Sequence, residues 1–326
     1  MNALKRVLGS LLIVGLVAAC VLQFSSGQAL AQDKTYKIAV VVHGSKTDPF
    51  WKPVQRGVKD ATDLYPDVEV TYIDTNVFSV EEFLTNLEAV LASRPDALVC
   101  TLTDPEAMDE TLRKVIDAGL PVVAINAPDL REPVSERIPV LTYIGEDSYF
   151  IGVTAARETL KRITTPKRAV FCNNAQGAAN MDARGQGWVD TMTEHGITAE
   201  SVPVSADAAQ AAEDMAAYLK EHPETDVLFI SNTAITEAVI KRLVADGIDV
   251  GNSIKIAQMD ISQAILEYIQ NDMVMFSMDQ QPYLQGYMGV VFAYLNVKYG
   301  LTPPPAPLST GPAVVTDADI NPAKGY

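Results

Sequence analysis

Short apolar runs alternate with amphipathic segments of helical length along most of the chain. Residues 38–42 are apolar almost without interruption, whereas residues 53–65 place apolar side chains three to four positions apart. Continuous apolar strands joined by helices are typical of a parallel sheet that is covered on both faces. The pattern therefore predicts an α/β fold.

The same order of elements occurs twice, with Lys37 opening the first copy and Lys167 the second. The predicted strands are 38–42, 68–73, 97–101 and 122–125, then 169–173, 199–204, 227–231 and 254–259. The predicted helices are 53–65, 80–93 and 105–118, then 181–195, 208–221 and 236–246. A strand at 274–278, a helix at 283–299 and an edge strand at 314–316 follow. The chain therefore contains an internal duplication of a parallel-sheet βα domain of about 130 residues.

A duplicated domain of this kind has a cleft where the two copies face each other. Ligands of open α/β sheets bind beyond the carboxyl ends of the strands, so polar and aromatic residues that follow the predicted strands are the candidate ligand-binding residues. The stronger candidates are Asp48, Phe50, Trp51, Asn126, Arg184, Asn232, Asp260 and Gln280. The weaker ones are Ser45, Thr101, Asp104, Trp188 and Gln281.

The N-terminal 31 residues differ in composition from the rest. Lys5 and Arg6 precede an apolar run, 7–22, and the segment contains no acidic residue. This is typical of a secretory signal peptide, and the run is shorter than the roughly 20 residues that span a membrane. Cleavage after Ala31 gives a protein released into the periplasm, whereas a lipobox ending at Cys20 gives a lipid-anchored one. The apolar residues that continue past Cys20 favour cleavage after Ala31.

Charge and motifs exclude several classes of function. The formal charge of −16 becomes −18 when Lys5 and Arg6 are removed, and no basic run follows them, which argues against a nucleic-acid partner. We find no phosphate-binding loop, nucleophile elbow or zinc motif, so we expect no catalytic residues, no metal and no cofactor. Cys100 and Cys172 each end an apolar run, which favours two buried free thiols over a disulfide.

The candidate residues have the chemistry that suits a neutral polyhydroxylated ligand. Carboxylates accept hydrogen bonds from hydroxyls, amides both donate and accept, and the planar guanidinium of Arg184 donates. Phe50, Trp51 and Trp188 offer flat apolar faces for the C–H side of a sugar ring. Such a set can pair each hydroxyl in a cleft that excludes water.

At these residues the sequence resembles the bacterial periplasmic sugar-binding proteins of the ribose and galactose type, which deliver substrate to ABC importers. Asp48-Pro49-Phe50-Trp51 is similar to the polar-Pro-Phe-aromatic segment of that family. Met181-Asp182-Ala183-Arg184-Gly185 is similar to its Arg-Gly helix start, where the arginine holds the sugar. Asn232, Asp260 and Gln280 occupy ligand positions of its second domain. The resemblance covers essentially the whole chain after the signal peptide.

The resemblance implies two lobes of the type I periplasmic binding protein fold, joined by a hinge of three crossings. The N-terminal lobe then comprises 36–144 and 281–310, and the C-terminal lobe comprises 145–280 and 311–326. The implied function is capture of a pentose, hexose or polyol and delivery to the permease of an ABC importer, by a monomer. Asn126-Ala127 stands where ribose-binding relatives have an Asp-Arg pair, which puts ribose itself in doubt.

Alternatives remain for several residues and for the function. Asp104 before Pro105 is typical of a helix N-cap, Asp48 before Pro49 of a turn, and Trp188 is as well explained by a helix core. The rival functions are a ligand-sensing component for a chemoreceptor or sensor kinase and, from a different class, an exported carbohydrate-active enzyme.

Overall fold

The computed structural model describes residues 34–45, 50–76, 79–304 and 306–320. The predicted signal peptide, Cys20, Ala31 and Asp48 lie outside these ranges. The strands are β1 Tyr36–Ser45, β2 Val68–Thr75, β3 Ala97–Cys100, β4 Val122–Ile125, β5 Thr142–Gly145, β6 Arg168–Asn173, β7 Thr198–Pro203, β8 Val227–Ile230, β9 Lys255–Met259, β10 Phe276–Asp279, β11 Leu308–Ser309 and β12 Ala313–Val315. The helices are α1 Trp51–Asp63, α2 Val80–Ala92, α3 Pro105–Asp117, α4 Ser148–Arg162, α5 Ala179–Glu194, α6 Ala208–Glu221, α7 Thr233–Ala245, α8 Gln263–Gln270 and α9 Pro282–Tyr299.

The strands form two six-stranded sheets of matching topology. The first has the order β11-β5-β4-β3-β1-β2 and the second β12-β10-β9-β8-β6-β7. All neighbouring strands are parallel except β10 and β12, which are antiparallel. The structure thus confirms the predicted α/β fold with two similar parallel-sheet lobes, which we call the first and the second lobe.

The chain passes between the lobes at three crossings. The first crossing follows β5 of the first lobe and leads into α4, which packs on α5 of the second. The second crossing follows β10 and leads into α9, which packs on α1 of the first lobe. The third joins β11, in the first sheet, to β12, in the second. Each lobe therefore contains one long helix that begins directly after a crossing from the other lobe.

Four elements escaped the sequence analysis. They are β5, α4, α8 and β11. β11 has two residues, too few for an apolar pattern, and the four residues of β5, Thr142-Tyr143-Ile144-Gly145, do not form a continuous apolar run. α4 and α8 each bury one face, α4 with Ile151 and Ala155 and α8 with Ile265 and Ile269, a helical spacing that the sequence analysis overlooked.

Alternate residues of the central strands bury their side chains on opposite faces of each sheet. In β1, Val40 belongs to the cluster under α1 and α9, and Val41 to the cluster under α2 and α3. In β6, Phe171 and Cys172 divide between two clusters in the same way. Cys172 and Cys100, in different sheets, are buried free thiols, as expected.

Helices α1 and α9 of the first lobe approach each other closely at two glycines. A Cβ atom on Gly57 would lie 2.1 Å from the carbonyl oxygen of Tyr283, and one on Gly286 would lie 2.3 Å from that of Val54. Because these neighbours are backbone atoms, they cannot rotate away. The two helices therefore pack at a distance that only glycine allows.

The second lobe repeats this contact between α4 and α5. A Cβ atom on Gly152 would lie 2.0 Å from the carbonyl oxygen of Arg184, and one on Gly187 would lie 2.1 Å from that of Tyr149. The turn of α5 that carries Arg184 is thus pressed against the helix that follows the first crossing, which fixes its position relative to that crossing.

None of the helices in the described ranges is long and apolar enough to cross a membrane.

Substitution Gly57→Ala tests the close contact. The added methyl group must push α1 and α9 apart, and overpacking of this kind costs about 1–3 kcal/mol. Urea unfolding should show this loss, whereas Lys52→Ala, at an exposed position of the same helix, should change stability by less than about 0.5 kcal/mol. Equal stability of the two variants would contradict the packing described.

Candidate functional site

Asn126 and Asp260 occupy equivalent positions in the two lobes. Asn126 directly follows β4 and Asp260 directly follows β9, the fourth strand of each set. Both have left-handed backbones, with φ of 63° and 73°, a conformation that Asn and Asp tolerate better than most residues. The backbone N–H of Asn126 donates to the Ile144 carbonyl at 3.1 Å, and the backbone N–H of Asp260 donates to the Met278 carbonyl at 2.8 Å. The duplication thus places one polar, strained residue on each side of the junction.

A chain of hydrogen bonds links these two residues through the second crossing. The Nδ2 group of Asn126 donates to Oε1 of Gln280 at 3.3 Å, and Nε2 of Gln280 donates to Oδ1 of Asp260 at 2.7 Å. Gln280 itself is 7% exposed. The amides and the carboxyl therefore form a continuous polar strip from the first lobe to the second.

Gln285 and Thr310 hold Gln280 in place. Oγ1 of Thr310, on the third crossing, donates to the Gln280 carbonyl at 2.8 Å, and Nε2 of Gln285 donates to the same oxygen at 3.1 Å. Gln285 Oε1 also accepts from Asn126 at 3.2 Å. Gln285 and Thr310 are buried, so their hydrogen bonds to Gln280 are sheltered from water and fix its orientation.

The carboxyl of Asp260 has a raised pKa. Burial raises the pKa of its carboxyl to about 7; the hydrogen bond from Gln280 and the charge of Arg184 oppose this, and the charges of Asp279 and Glu146 add to it. The Asp260 carbonyl accepts from Gln258 and from Ser277 Oγ, the latter at 2.6 Å. Perturbed carboxyls that are fixed in this way cluster at functional sites.

Arg184 is buried beside this strip and forms an ion pair with the first crossing. Its Nη2 donates to Oε1 of Glu146 at 2.6 Å, and the two side chains are 5% and 3% exposed. Oγ of Ser148 donates to the same carboxylate oxygen at 2.5 Å. The hydroxyl of Tyr143 lies 2.8 Å from the Asn126 carbonyl and 3.1 Å from that of Glu146, so one phenol fixes the backbone of both residues.

The two tryptophans belong to the lobe cores. Trp188 is 0% exposed and packs on Phe229 with ring centroids 5.1 Å apart, which corrects the expectation that its ring faces a cleft. Trp51 is 3% exposed and meets His43 and Phe50 edge to face at 5.1 and 5.0 Å. Phe50 is half-buried and packs against the same core cluster as Trp51.

Several weaker candidates have structural roles. Asp104 caps α3 by accepting from the amide of Ala107 at 3.1 Å, as its position before a proline indicates. Thr101 is fully buried, and its Oγ1 accepts from the amide of His43 at 3.2 Å, which ties β3 to β1.

Asn232 and Gln281 also take part in starting a helix. Asn232 caps α7 through its Oδ1 atom, which accepts from the backbone amide of Ile235 at 3.1 Å. Gln281 precedes α9 in a left-handed conformation with φ of 54°. Ser45 ends β1, and its side chain lies outside the described part of the structure.

The sequence analysis missed four residues of this site as contributors. They are Tyr143, Glu146, Gln285 and Thr310. Glu146 directly follows β5 and would have satisfied the strand-end rule had that short strand been recognised. Thr310 likewise directly follows the short strand β11, whereas Gln285 lies inside α9 and carries no such signal.

The loop between β4 and β5 supplies no free guanidinium to the strip. Arg131 pairs with Asp129 and Asp109 at 2.6 Å each, and Arg137 pairs with Glu132. A cavity of about 740 Å³ lies beside this loop, lined mainly by apolar side chains such as Leu102 and Leu130 and also by Tyr143 and Ser148. The strip residues do not line that cavity.

The side chains gathered here can form hydrogen bonds to a polar ligand. Among the described residues no group of three or more His, Cys, Asp or Glu side chains could hold a metal ion. The polar strip offers amide donors and amide and carboxyl acceptors, and the guanidinium of Arg184 beside it adds further donors. These groups can all form hydrogen bonds to a polar ligand.

Two parallel-sheet lobes joined by three crossings, with polar side chains gathered beside the crossings, define a bilobal ligand-binding protein. The chain belongs to the periplasmic binding protein domain family, whose sequence profile matches residues 38–300. This match confirms the family to which the sequence motifs point, and it is a family of binding proteins rather than enzymes.

Two relatives that are similar over most of the chain are named as sugar-binding proteins. The xylose/arabinose-binding protein XylF of Sulfolobus acidocaldarius is 26% identical over 306 residues, which are 92% of this chain and 75% of that protein. The D-ribose/D-allose-binding protein of Pseudomonas aeruginosa is 24% identical over 252 residues, 77% of this chain and 73% of that protein.

The fold also matches solved structures. An ABC transporter solute-binding protein from Agrobacterium vitis, bound with alpha-D-tagatopyranose, superposes with a TM-score of 0.77 at 24% identity, and the match covers 87% of this chain and 96% of that one.

The raised pKa of Asp260 makes the stability of the ligand-free protein depend on pH. The folded state keeps a proton on this carboxyl up to about pH 7, whereas the unfolded chain releases it near the ordinary value of 3.8. Because the folded state binds the extra proton between these values, this carboxyl destabilises the protein as the pH rises from about 4 to about 7.

Asp260→Asn removes this contribution and leaves the other groups unchanged. We expect the stability of the variant relative to the natural protein to increase through that interval and to level off above it. Urea unfolding of both proteins at a series of pH values measures the difference, and a difference independent of pH would contradict the assignment.

Proposed function

We propose that this protein is an exported solute-binding protein that captures a small neutral carbohydrate between its lobes and delivers it to the membrane permease of an ABC importer. The observation that carries the proposal is the polar strip Asn126–Gln280–Asp260, which joins the lobes beside the buried Arg184. A ligand that bridges this strip contacts both lobes at once.

The strip suits hydroxyl groups because each hydroxyl both donates and accepts a hydrogen bond. The Asp260 carboxylate accepts, the Arg184 guanidinium donates, and the amides of Asn126 and Gln280 do both. A pentose, a hexose or a cyclic polyol offers several hydroxyls on a small rigid ring, so it can satisfy these groups together.

The charge balance of the site favours a neutral ligand over an anionic one. Three buried or half-buried carboxyl groups, Asp260, Asp279 and Glu146, act alongside one guanidinium. An added carboxylate or phosphate would meet net negative charge in a poorly solvated site, where repulsion is strong. Sugar acids and sugar phosphates are therefore disfavoured.

The relatives support a monosaccharide and direct the order of testing. The relative that spans 92% of this chain is named for xylose and arabinose, so we rank pentoses first and hexoses and polyols next. The strip beside the crossings supports a cycle in which the lobes close on the sugar about short hinges. The closed monomer would present both lobes to the permease in the periplasm, after cleavage at Ala31 or, in the alternative, while anchored through Cys20.

Ligand binding can be screened with a panel of D-xylose, L-arabinose, D-ribose, D-allose, D-fructose, D-tagatose and myo-inositol. At a hundredfold excess over its dissociation constant, a specific ligand stabilises the folded state by about 2.7 kcal/mol, so one or more of these should raise the melting temperature. A panel in which no sugar does so would contradict the proposal.

Asp260→Asn should weaken the best ligand about ten- to a hundredfold at pH 8, because a charged acceptor inside the site is lost. Titration calorimetry measures this loss. Asp207→Asn is the matched control: Asp207 caps α6 by accepting from Gln210 at 2.9 Å, and asparagine caps equally well. If Asp260→Asn binds the ligand as tightly as the natural protein does, the ligand binds elsewhere.

A further inference from the structure

The ion pair between Arg184 and Glu146 uses only one arm of each side chain. Nη2 of Arg184 bonds to Oε1 of Glu146 at 2.6 Å. Nη1 of Arg184 donates to Sδ of Met181 at 3.4 Å, whereas the arms Arg184 Nε and Glu146 Oε2 are both fully buried and have no hydrogen-bond partner among the described residues. An arginine and a carboxylate commonly pair through two parallel bonds, so this geometry leaves one donor and one acceptor open.

Open arms of charged groups are costly in a buried position. An unsatisfied charged donor or acceptor loses its hydration without a replacement, and buried polar groups in native proteins almost always have a partner. The protein spends stability on this pair, which is expected where a ligand completes the hydrogen bonding.

The pair is held firmly by its surroundings and lies beside the polar strip. Ser148 Oγ donates to the occupied oxygen of Glu146, and Tyr143 contacts the carbonyls of both Glu146 and Asn126. The charges of Glu146 and Arg184 both act on the Asp260 carboxyl. The open arms are therefore at the same end of the sheets as Asn126 and Asp260, with Glu146 on the first crossing and Arg184 on α5.

We infer that Glu146 is a specificity-determining residue, whose Oε2 atom accepts a hydrogen bond from one hydroxyl of the bound ligand while Arg184 Nε donates to the same or the adjacent ligand oxygen. The inference rests on the proposed function. A hydroxyl fits because its single oxygen can both donate to the carboxylate and accept from the guanidinium. The ligand then contacts a residue of the first crossing, Glu146, as well as residues of both lobes.

This assignment makes one hydroxyl of the ligand indispensable. A sugar that lacks it leaves Glu146 Oε2 buried and unpaired, and a site built to pair a hydroxyl discriminates strongly against the analogue without it. Epimers that turn the hydroxyl away should be discriminated against for the same reason.

Glu146→Gln tests the inference in the mature chain. The probes are the tightest-binding sugar of the seven-member panel and the monodeoxy derivatives of that sugar, with affinities measured by titration calorimetry. We expect Glu146→Gln to weaken the parent sugar about ten- to a hundredfold, but to weaken one deoxy derivative less than about threefold. That derivative lacks the hydroxyl that meets Glu146.

The controls separate this role from a purely structural one. Glu158→Gln, on the far end of the same helix α4 and paired with Lys161 and Arg162, should leave all affinities unchanged. If Glu146→Gln does not fold, Glu146→Asp retains the charge but withdraws the carboxylate, and it should show the same selective loss.

Two outcomes would overturn the inference. An unchanged affinity in the Glu146 variant means that no ligand group meets this carboxylate. An equal loss for the parent and for every deoxy derivative means that Glu146 only positions Arg184. In both cases the natural protein still binds sugar and the proposed function stands, whereas a panel in which no sugar binds the natural protein overturns both.

Discussion

Thr310 joins the three chain crossings to one another. Its amide donates to the Gly145 carbonyl of the first crossing at 3.0 Å, and its hydroxyl donates to the Gln280 carbonyl of the second at 2.8 Å. The residue is 2% exposed and lies on the third crossing itself. Because these bonds are sheltered from water, they fix the geometry of the hinge, and the rest of the site depends on that geometry.

The hinge and the candidate binding site share residues. Glu146 is the residue after β5, and Gln280 is the residue after β10, so each is both a crossing residue and a polar group of the site. The tight glycine contacts behind α4 and α9 hold the helices that leave these crossings. A ligand that bonds to Glu146 and Gln280 would therefore act directly on the segments about which the lobes move, without a relay through the lobe cores.

The fold and the paired strand-end residues could be predicted because they follow from local pattern and repetition. Asn126 and Asp260 each follow an apolar strand at the same place in a duplicated unit. Partners could not be predicted, since Asn126 and Gln280 are 154 residues apart and meet only through the crossings. Trp188 could not be placed from the sequence for a different reason. A residue in a helix faces the core or the cleft according to which side of the helix packs, and Trp188 of α5 packs on Phe229.

The central claim is that a small sugar binds where the crossings meet, between the two lobes. A crystal structure of the mature protein with the tightest-binding sugar tests it most directly. The account predicts sugar hydroxyls within hydrogen-bond distance of Asn126 in the first lobe and of Asp260 in the second. A sugar bound instead in the apolar cavity beside the β4–β5 loop, or on one lobe alone, would contradict it.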